Sequence, residues 1–410
     1  LQSANLQLQK DIEHQKALKQ GNGYDVRRTS ETTGVPYFYS ATRYKDYIVR
    51  SALPYNVSLI KNLNIPVRHI LYQCMVLICF LPNNHRTSLL RDIINHYIPS
   101  GSHPDMETYL YAPLRKYSEN GGKRHRPLIC VAACAAVGGV PSRAFSSAAA
   151  IEHFHTAALI HDDIADDASL RRGEPCMHLT EGIGLAINAG DLALSIVNGI
   201  VMRDPQLEDS LKVRVAIELV SMAQNTVEGQ ALDIGWAKDG RYDLSLDDYF
   251  TMAIHKTAHY SGAVPLAVGA IVGGGSEEQI EGLRQFGLDT GLAFQIQDDV
   301  LNLVGTEEQT KKDFRNDITE GKRTLIVVHA LSNSDERERL IEILSSRTKD
   351  PAQLEEAVAI MERSGSIDYA RDYAEELVNS AKERITTILD PSLSRDLLVS
   401  MADWFVERLQ

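Results

Sequence analysis

The feature that most limits how this chain can fold is the spacing of its apolar residues. From about residue 88 to the end they recur three and four positions apart, as in "SLLRDIINHYI" (88–98) and "LVSMAQNTVEGQALDIGWA" (219–237), and no sustained two-residue alternation appears. That period gives each segment one apolar stripe on an α-helix, so the expected fold class is all-α, a large helical bundle. The breaks carry helix punctuation, at "GGVPSRA" (Gly138–Ala144) and "GGGSEEQ" (Gly273–Gln279). In the second, Ser276 and Gln279 read as a capping box. A phosphate loop there would need a strand before it, and helical "AVPLAVGAIV" precedes it instead. In "DLSLDDYF" (Asp243–Phe250), Ser245 reads as an N-cap, with Asp247 and Asp248 in the first turn, where the helix dipole favours acids.

A length of 410 residues suits one large domain or two ordinary ones. The net charge of −13 argues against a nucleic-acid partner. An anionic substrate must then be met by a local cluster of bases or by metal ions. Residues 1–91 carry 12 Lys+Arg and 5 Asp+Glu, a balance of +7, and the remainder carries 30 and 50, a balance of −20. The expected division is an N-terminal extension or linker over 1–88, of unassigned role, and one all-α domain over 89–410. The apolar run Ile70–Leu81 has 12 residues, short of the ~20 that span a bilayer, and reads as a buried or surface-packing helix. The chain begins at Leu1, so the natural start is expected upstream. Five cysteines show no zinc or redox spacing, and an odd count does not suggest a disulfide framework. A reducing compartment follows, with a cytoplasmic location expected and organelle targeting by the basic segment left open.

Against this background, "HDDIADDASLRRG" (His161–Gly173) is unusually dense in charge. On a helix Asp162 and Asp166 lie one turn apart on one face, with Asp163 alongside. Such carboxylates repel unless a cation sits between them, and hard oxygen ligands suit Mg²⁺ that also holds phosphate oxygens. One such motif also fits a solvated helix end. A second, "FQIQDDVLNL" (Phe294–Leu303), places Asp298 and Asp299 in an otherwise apolar run, with Asn302 where a third Asp would stand. Buried carboxylates without partners are costly, so this pair calls for metal or cationic neighbours. Bases are available in Lys123 and Arg126 of "GGKRHRP" (Gly121–Pro127), Arg171, Arg172, Lys256, Lys312 and Lys322, and His155 lies two turns before Asp162. Singly each reads as a surface charge. Together they describe grips for two anionic, diphosphate-like substrates beside a metal cluster. Ala157 and Ala158, about one turn deeper than Asp162, leave the helix without a plug below the metals, and equally suit tight helix packing. Cys130 and Cys134, one turn apart on an apolar helix, read as core.

The ordered series "GGKRHRP", "DDIADDASLRRG", "GQALD" (Gly229–Asp233), "HKT" (His255–Thr257), "FQIQDDVLN" and "DITEGKRT" resembles the trans-isoprenyl diphosphate synthases, the polyprenyl synthetase family, and looks most like its geranylgeranyl diphosphate synthases. The resemblance runs from about Tyr109 to the C-terminus. It implies a bundle of the class I isoprenoid synthase type with a central active-site cavity. Asp162, Asp166 and Asp298 would ligate about three Mg²⁺ ions, with Asp163 and Asp299 in support. Arg171, Lys256, Lys312 and Lys322 would bind the allylic diphosphate. Gly122, Lys123, Arg126, His155 and Arg172 would hold isopentenyl diphosphate. Thr257 and Gln295 would face the allylic carbocation, and Gln230 and Asp233 would support that site, Asp233 pairing with Lys256.

The implied activity is condensation of isopentenyl diphosphate with C5, C10 and C15 allylic diphosphates to an all-trans product, C20 by the small residues at 157 and 158. Ala157→Phe is expected to shorten the product. The family also implies a homodimer or higher homo-oligomer. The sequence departs from the commonest bacterial pattern in the two-residue spacing after Asp163 and in Asn302. Alternatives are a longer product of C25 or more, the prenyltransferase part of a bifunctional terpene synthase, a class I terpene cyclase and a catalytically silent subunit. The second Asp pair and the "GGKRHRP" segment speak against a cyclase, and two intact Asp pairs speak against a silent subunit.

Overall fold

The structure is a computed structural model that describes residues 83–305 and 315–406, all within one compact unit. The apolar run 70–81, most of the expected extension and Lys312 lie outside the described residues. Among the described residues, nearly everything regular is helix, as the apolar spacing predicts, with one two-stranded hairpin.

In chain order, α1 spans Asn83–His96, α2 Ala112–Glu119, α3 His125–Ala136 and α4 Phe145–Ala165. The hairpin pairs β1 (Leu170–Arg171) with β2 (Glu174–Pro175). Helices α5 (Ile183–Met202), α6 (Asp209–Lys238) and α7 (Leu246–Ala253) follow. A π-helical segment, Ile254–Ala263, then runs straight into α8 (Val264–Gly273). Helix α9 spans Glu277–Val304, α10 Asn316–Glu320, α11 Leu325–Asn333, α12 Arg337–Ser346, α13 Pro351–Arg363, α14 Ser366–Ile388 and α15 Leu393–Val406. Both expected N-caps form: Ser245 makes a reciprocal box with Asp248, and Ser276 makes one with Gln279. The glycines before Ser276 end α8, where Gly274 takes φ +79 and its N–H bonds back into the last turn.

Small residues let the inner helices approach closely. Ala157 of α4 packs in one buried cluster with Ala186, Ala189 and Ala193 of α5, and with Leu114 and Ile160. Its neighbour Ala158 is half-buried. Cys130 and Cys134 are free thiols with no exposed surface, and burial pushes Cys134 up to about 12, as expected of core residues.

Two outer faces stay apolar. Helix α5 is long and apolar enough to cross a membrane by composition, but its alanine face is buried while Ile183, Ile187 and Leu194 are exposed. Along α6, Val213, Ile217, Val220, Gln224, Val227, Ala231 and Ile234 are all exposed. They alternate four and three residues apart, the repeat of a coiled-coil seam.

The packing around Ala157 sets a first expectation. Ala157→Phe forces a ring into a filled cluster and should cost about 1–3 kcal/mol, seen as a lower melting temperature. Ala158→Phe, at a half-buried position, should melt close to the parent protein; equal losses in both would show that the two positions are equally packed.

Candidate active site

The charged centre is built by side-chain links that pass from helix to helix and return to their starting point. Asp162 lies near the end of α4 and accepts a hydrogen bond from Gln230 Nε2 of α6 at 2.8 Å. One turn further along α6, buried Asp233 pairs with Lys256 of the π segment. The next residue, Thr257, donates to Gln295 Oε1 of α9 at 2.7 Å, and Gln295 Nε2 donates to Asp299 Oδ1 at 2.7 Å. Asn302, further along α9, donates to Asn316 Oδ1 at 2.5 Å and accepts from the Asp317 backbone N–H at 3.3 Å, which ties α10 to α9. Just past α10, Lys322 reaches back to Asp166 at 3.6 Å, in the residue that follows α4, and to Glu320 at 2.8 Å.

Local sequence explains two of these placements. A Cβ added at Gly229 would overlap the Lys256 backbone nitrogen, so only glycine lets α6 lie against the π segment and bring Asp233 to Lys256. A π-helix has more residues per turn than an α-helix, so neighbouring side chains diverge less. Lys256 and Thr257 can therefore both turn towards the same centre. At the end of that segment the Val264 N–H bonds five residues back to His259 O.

Electrostatics follow from crowding. Burial holds the Asp162 carboxyl above its ordinary value, with Asp166 adding to the shift and Lys256 opposing it. Burial acts against charge on Lys322, but Asp233, Asp166, Asp317 and Glu320 together keep its ammonium well above the usual range. Burial and then Asp317 push Asp299 well up, although Gln295 and Tyr249 donate to it. The centre thus holds more carboxylate charge than its lysines balance comfortably.

Asp163, the neighbour of Asp162, turns to the other side of α4. It is buried and accepts from Tyr117 Oη at 2.8 Å and from Arg171 Nε at 2.6 Å. Arg171 is thus bonded to a carboxylate of the first motif. The hairpin separates the two arginines: Arg172 and Gly173 form its tip with φ of +57 and +84. Arg172 folds back to donate to Gly121 O at 3.2 Å and Asn120 O at 3.4 Å. Gly122 leaves room for it, since a Cβ there would meet the Arg172 guanidinium at 2.9 Å.

A second basic group collects beside α3. Buried Arg126 donates to Tyr260 Oη at 3.0 Å and Ser261 Oγ at 2.7 Å, and its guanidinium lies 4.5 Å from the Tyr260 ring centroid. His155 stacks on the same tyrosine, 5.8 Å from Tyr260 between centroids. Burial, helped by Arg126 and Arg172, holds His155 well below its ordinary value, so the ring is neutral, and its Nδ1 has no partner among the described residues. Arg124 takes φ +52 and forms a buried ion pair with Glu152 at 2.5 Å. Lys123 lies over the Trp404 ring at 4.2 Å.

The structure therefore joins Asp162, Asp166, Gln230, Asp233, Lys256, Thr257, Gln295, Asp299 and Lys322 in one linked set, with Asp298 half-buried beside Asp299. Sequence reasoning passed over Tyr117, Tyr249, Tyr260, Arg124 and Glu152. Tyr249 is fully buried and donates to Asp299 Oδ2 at 3.1 Å. Arg124 lies inside a motif already singled out, and Tyr260 sits four residues after Lys256; the others carry no local signal because their partners are 28 to 50 residues away.

Among the described residues no three Asp, Glu, His or Cys side chains converge as a ready-made metal cage. Mg²⁺ does not need one, because it keeps waters and is bound through one or two carboxylates plus substrate phosphates. The hard-oxygen donors Asp162, Asp166 and Asp298 fit that ion.

Known proteins share this arrangement of chain. The family model described as polyprenyl synthetase matches residues 107–361. A short chain isoprenyl diphosphate synthase of Methanothermobacter thermautotrophicus is 44% identical over 291 residues, 70% of this chain and 87% of that protein. The crystal structure of geranylgeranyl pyrophosphate synthetase from Pyrococcus horikoshii superposes with a TM-score of 0.73 at 34% identity, over 83% of this chain and 99% of that one. A geranylgeranyl pyrophosphate synthase from Corynebacterium glutamicum, solved with isoprenyl diphosphate and magnesium, gives a TM-score of 0.72 at 28% identity, over 80% of this chain and 100% of that one.

The Asp163–Arg171 pair generates the prediction for this region. Its side chains are 1% and 15% exposed, so removing one partner leaves a buried charge unpaired. Asp163→Ala should lose about 3–5 kcal/mol of stability, measured by urea unfolding. A variant as stable as the parent would show that Arg171 finds another partner.

Proposed function

Since the chain belongs to the polyprenyl synthetase family, we propose that it condenses isopentenyl diphosphate with C5, C10 and C15 allylic diphosphates and releases geranylgeranyl diphosphate, C20. The chain is a Mg²⁺-dependent trans-prenyltransferase. The observation that carries the assigned condensation is the circuit of carboxylates, amides and lysines from α4, α6, the π segment, α9 and the α10 loop.

In this reading Asp162, Asp166 and Asp298 hold about three Mg²⁺ ions. When bound, that group supplies positive charge to the diphosphate as the allylic C–O bond breaks. Lys256 and Lys322 bring fixed ammonium charge to the same leaving group; Lys312 is assigned there by its motif. Asp233 and Gln230 aim Lys256 and Asp162. Thr257 spends its proton on Gln295, so its Oγ1 lone pairs are left to face the carbocation. Lys123, Arg126, His155 and Arg172 receive isopentenyl diphosphate, and neutral His155 offers a ring nitrogen without adding charge. The double bond attacks the cation, and the proton lost goes to the released diphosphate. Asp163 and Arg171 act together here, as the pair that fixes the end of α4 carrying Asp162.

Ala158, half-buried one turn below Asp162, places no bulk there, which supports a product of C20 over a shorter one. The decisive assay incubates the chain with Mg²⁺, isopentenyl diphosphate and each allylic diphosphate separately, then weighs the dephosphorylated alcohols. A C20 alcohol from all three is expected; a longer ladder overturns the assigned length. Asp162→Ala and Asp298→Ala should each abolish turnover with unchanged helical content, and near-parental activity in either would remove that residue from the metal set.

We also propose that the chain works as a homodimer. The four-and-three seam on α6 is the kind of surface that pairs with its own copy about a twofold axis. Ile217→Glu, at a 62% exposed position of that seam, should shift the mass in analytical ultracentrifugation from dimer to monomer. A dimer of undiminished affinity would place the interface elsewhere.

A further inference from the structure

The last helix reaches the isopentenyl diphosphate motif through aromatic rings. Lys123 of "GGKRHRP" lies with Nζ 4.2 Å from the Trp404 ring centroid. Trp404 of α15 packs against Phe405 at 5.6 Å between centroids, and Phe405 meets Phe294 of α9 edge-on at 5.1 Å. His125, two residues after Lys123, touches both Phe294 at 5.3 Å and Phe405 at 6.0 Å. The four rings join three segments: the start of α3, the end of α15, and the α9 turn that carries Gln295. Phe294 immediately precedes the residue that bonds Thr257 and Asp299.

Trp404 and Lys123 also line a cavity of about 760 Å³ between α1, the α3 entry and α15. Among the described lining residues, Arg91 and Lys123 are the basic ones, no acid is present, and Thr87, Ser88 and Ser400 add hydroxyls. A lysine at such a wall needs something to aim it. A ring face attracts the ammonium through its quadrupole.

We propose that Trp404 is a positioning residue for the reaction: its indole holds the Lys123 ammonium for its part in gripping the diphosphate of the homoallylic substrate. The proposal rests on the reading of Lys123 given above. Trp404 acts through Lys123 and does not touch the reacting carbons. Its anchorage on Phe405, and through Phe405 on Phe294, makes the aim of Lys123 depend on the seating of α15.

The test is steady-state kinetics of the full chain with Mg²⁺, varying isopentenyl diphosphate and the allylic diphosphate separately. Trp404→Ala should raise KM for isopentenyl diphosphate about three- to thirty-fold, while kcat and the allylic KM stay within about twofold. Trp404→Phe keeps a ring face and should recover most of the loss. Trp404→Ala added to Lys123→Ala should raise KM no further than Lys123→Ala alone, because the two act through one group. An unchanged KM in Trp404→Ala overturns the proposal. So does a loss spread over both substrates with a lowered melting temperature and no rescue by Phe, or full additivity with Lys123→Ala. If Lys123→Ala itself leaves the isopentenyl KM unchanged, the assignment of Lys123 falls and the proposal with it. If only the Trp404 variants are silent, the proposal falls alone.

Discussion

Carboxylates crowded at one centre, two buried and two half-buried, govern this molecule. Asp162, Asp166, Asp233 and Asp299 are gathered at one centre, and burial raises the cost of every charge there. The chain answers with lysines: Lys256 lies against Asp233, and Lys322 spans Asp166 and Glu320. Asp162 is still held above its ordinary value, by burial first and by Asp166 after it. A site in that state gains from every cation that enters it, and a diphosphate arriving with Mg²⁺ supplies what the protein withholds. The same crowding of carboxylates that costs solvation favours binding of cations.

The backbone serves this arrangement at several places. The π segment gives Lys256 and Thr257 a shared direction, Gly229 lets α6 come within contact of it, and Pro265 at the start of α8 returns the chain to ordinary helix. Asn302 occupies the position where an acid would have been a third ligand, and its amide instead fastens α10, whose exit loop delivers Lys322. An aspartate there would add charge to a centre already over-supplied and, when ionised, would have no donor for Asn316. The loss of one carboxylate is thus compatible with the circuit, because the helix it anchors returns a lysine to the first motif.

Much of the fold was legible because helical periodicity is a local property. The capping boxes at Ser245 and Ser276 could be read from four residues each, and both form. The burial of Cys130 and Cys134 followed from their apolar helix. For the charged centre, residue type and order were readable, and so were the pairing of Asp233 with Lys256 and the family. The direction of individual side chains was not. Asp163 and Asp162 are adjacent in sequence, but a helix turns consecutive side chains well apart, so one enters the centre and the other meets Tyr117 and Arg171. Arg171 and Arg172 diverge for a similar reason, at a turn whose left-handed geometry sends them to different neighbours.

By itself, then, the sequence determined an all-α bundle, the two aspartate-bearing helices, the basic residues that accompany them and the chemistry such a set can perform. These depend on composition and on spacing within one or two helical turns. Tertiary structure alone decided which carboxylates share a centre, that Tyr249 and Tyr117 supply their hydroxyl partners, that Ala157 is packed among alanines of α5, and that the chain's last helix lays Trp404 under Lys123. Those facts depend on contacts between residues far apart in the chain, whose free energy comes from burial and mutual geometry, and no local pattern of residues encodes which distant partner will be met.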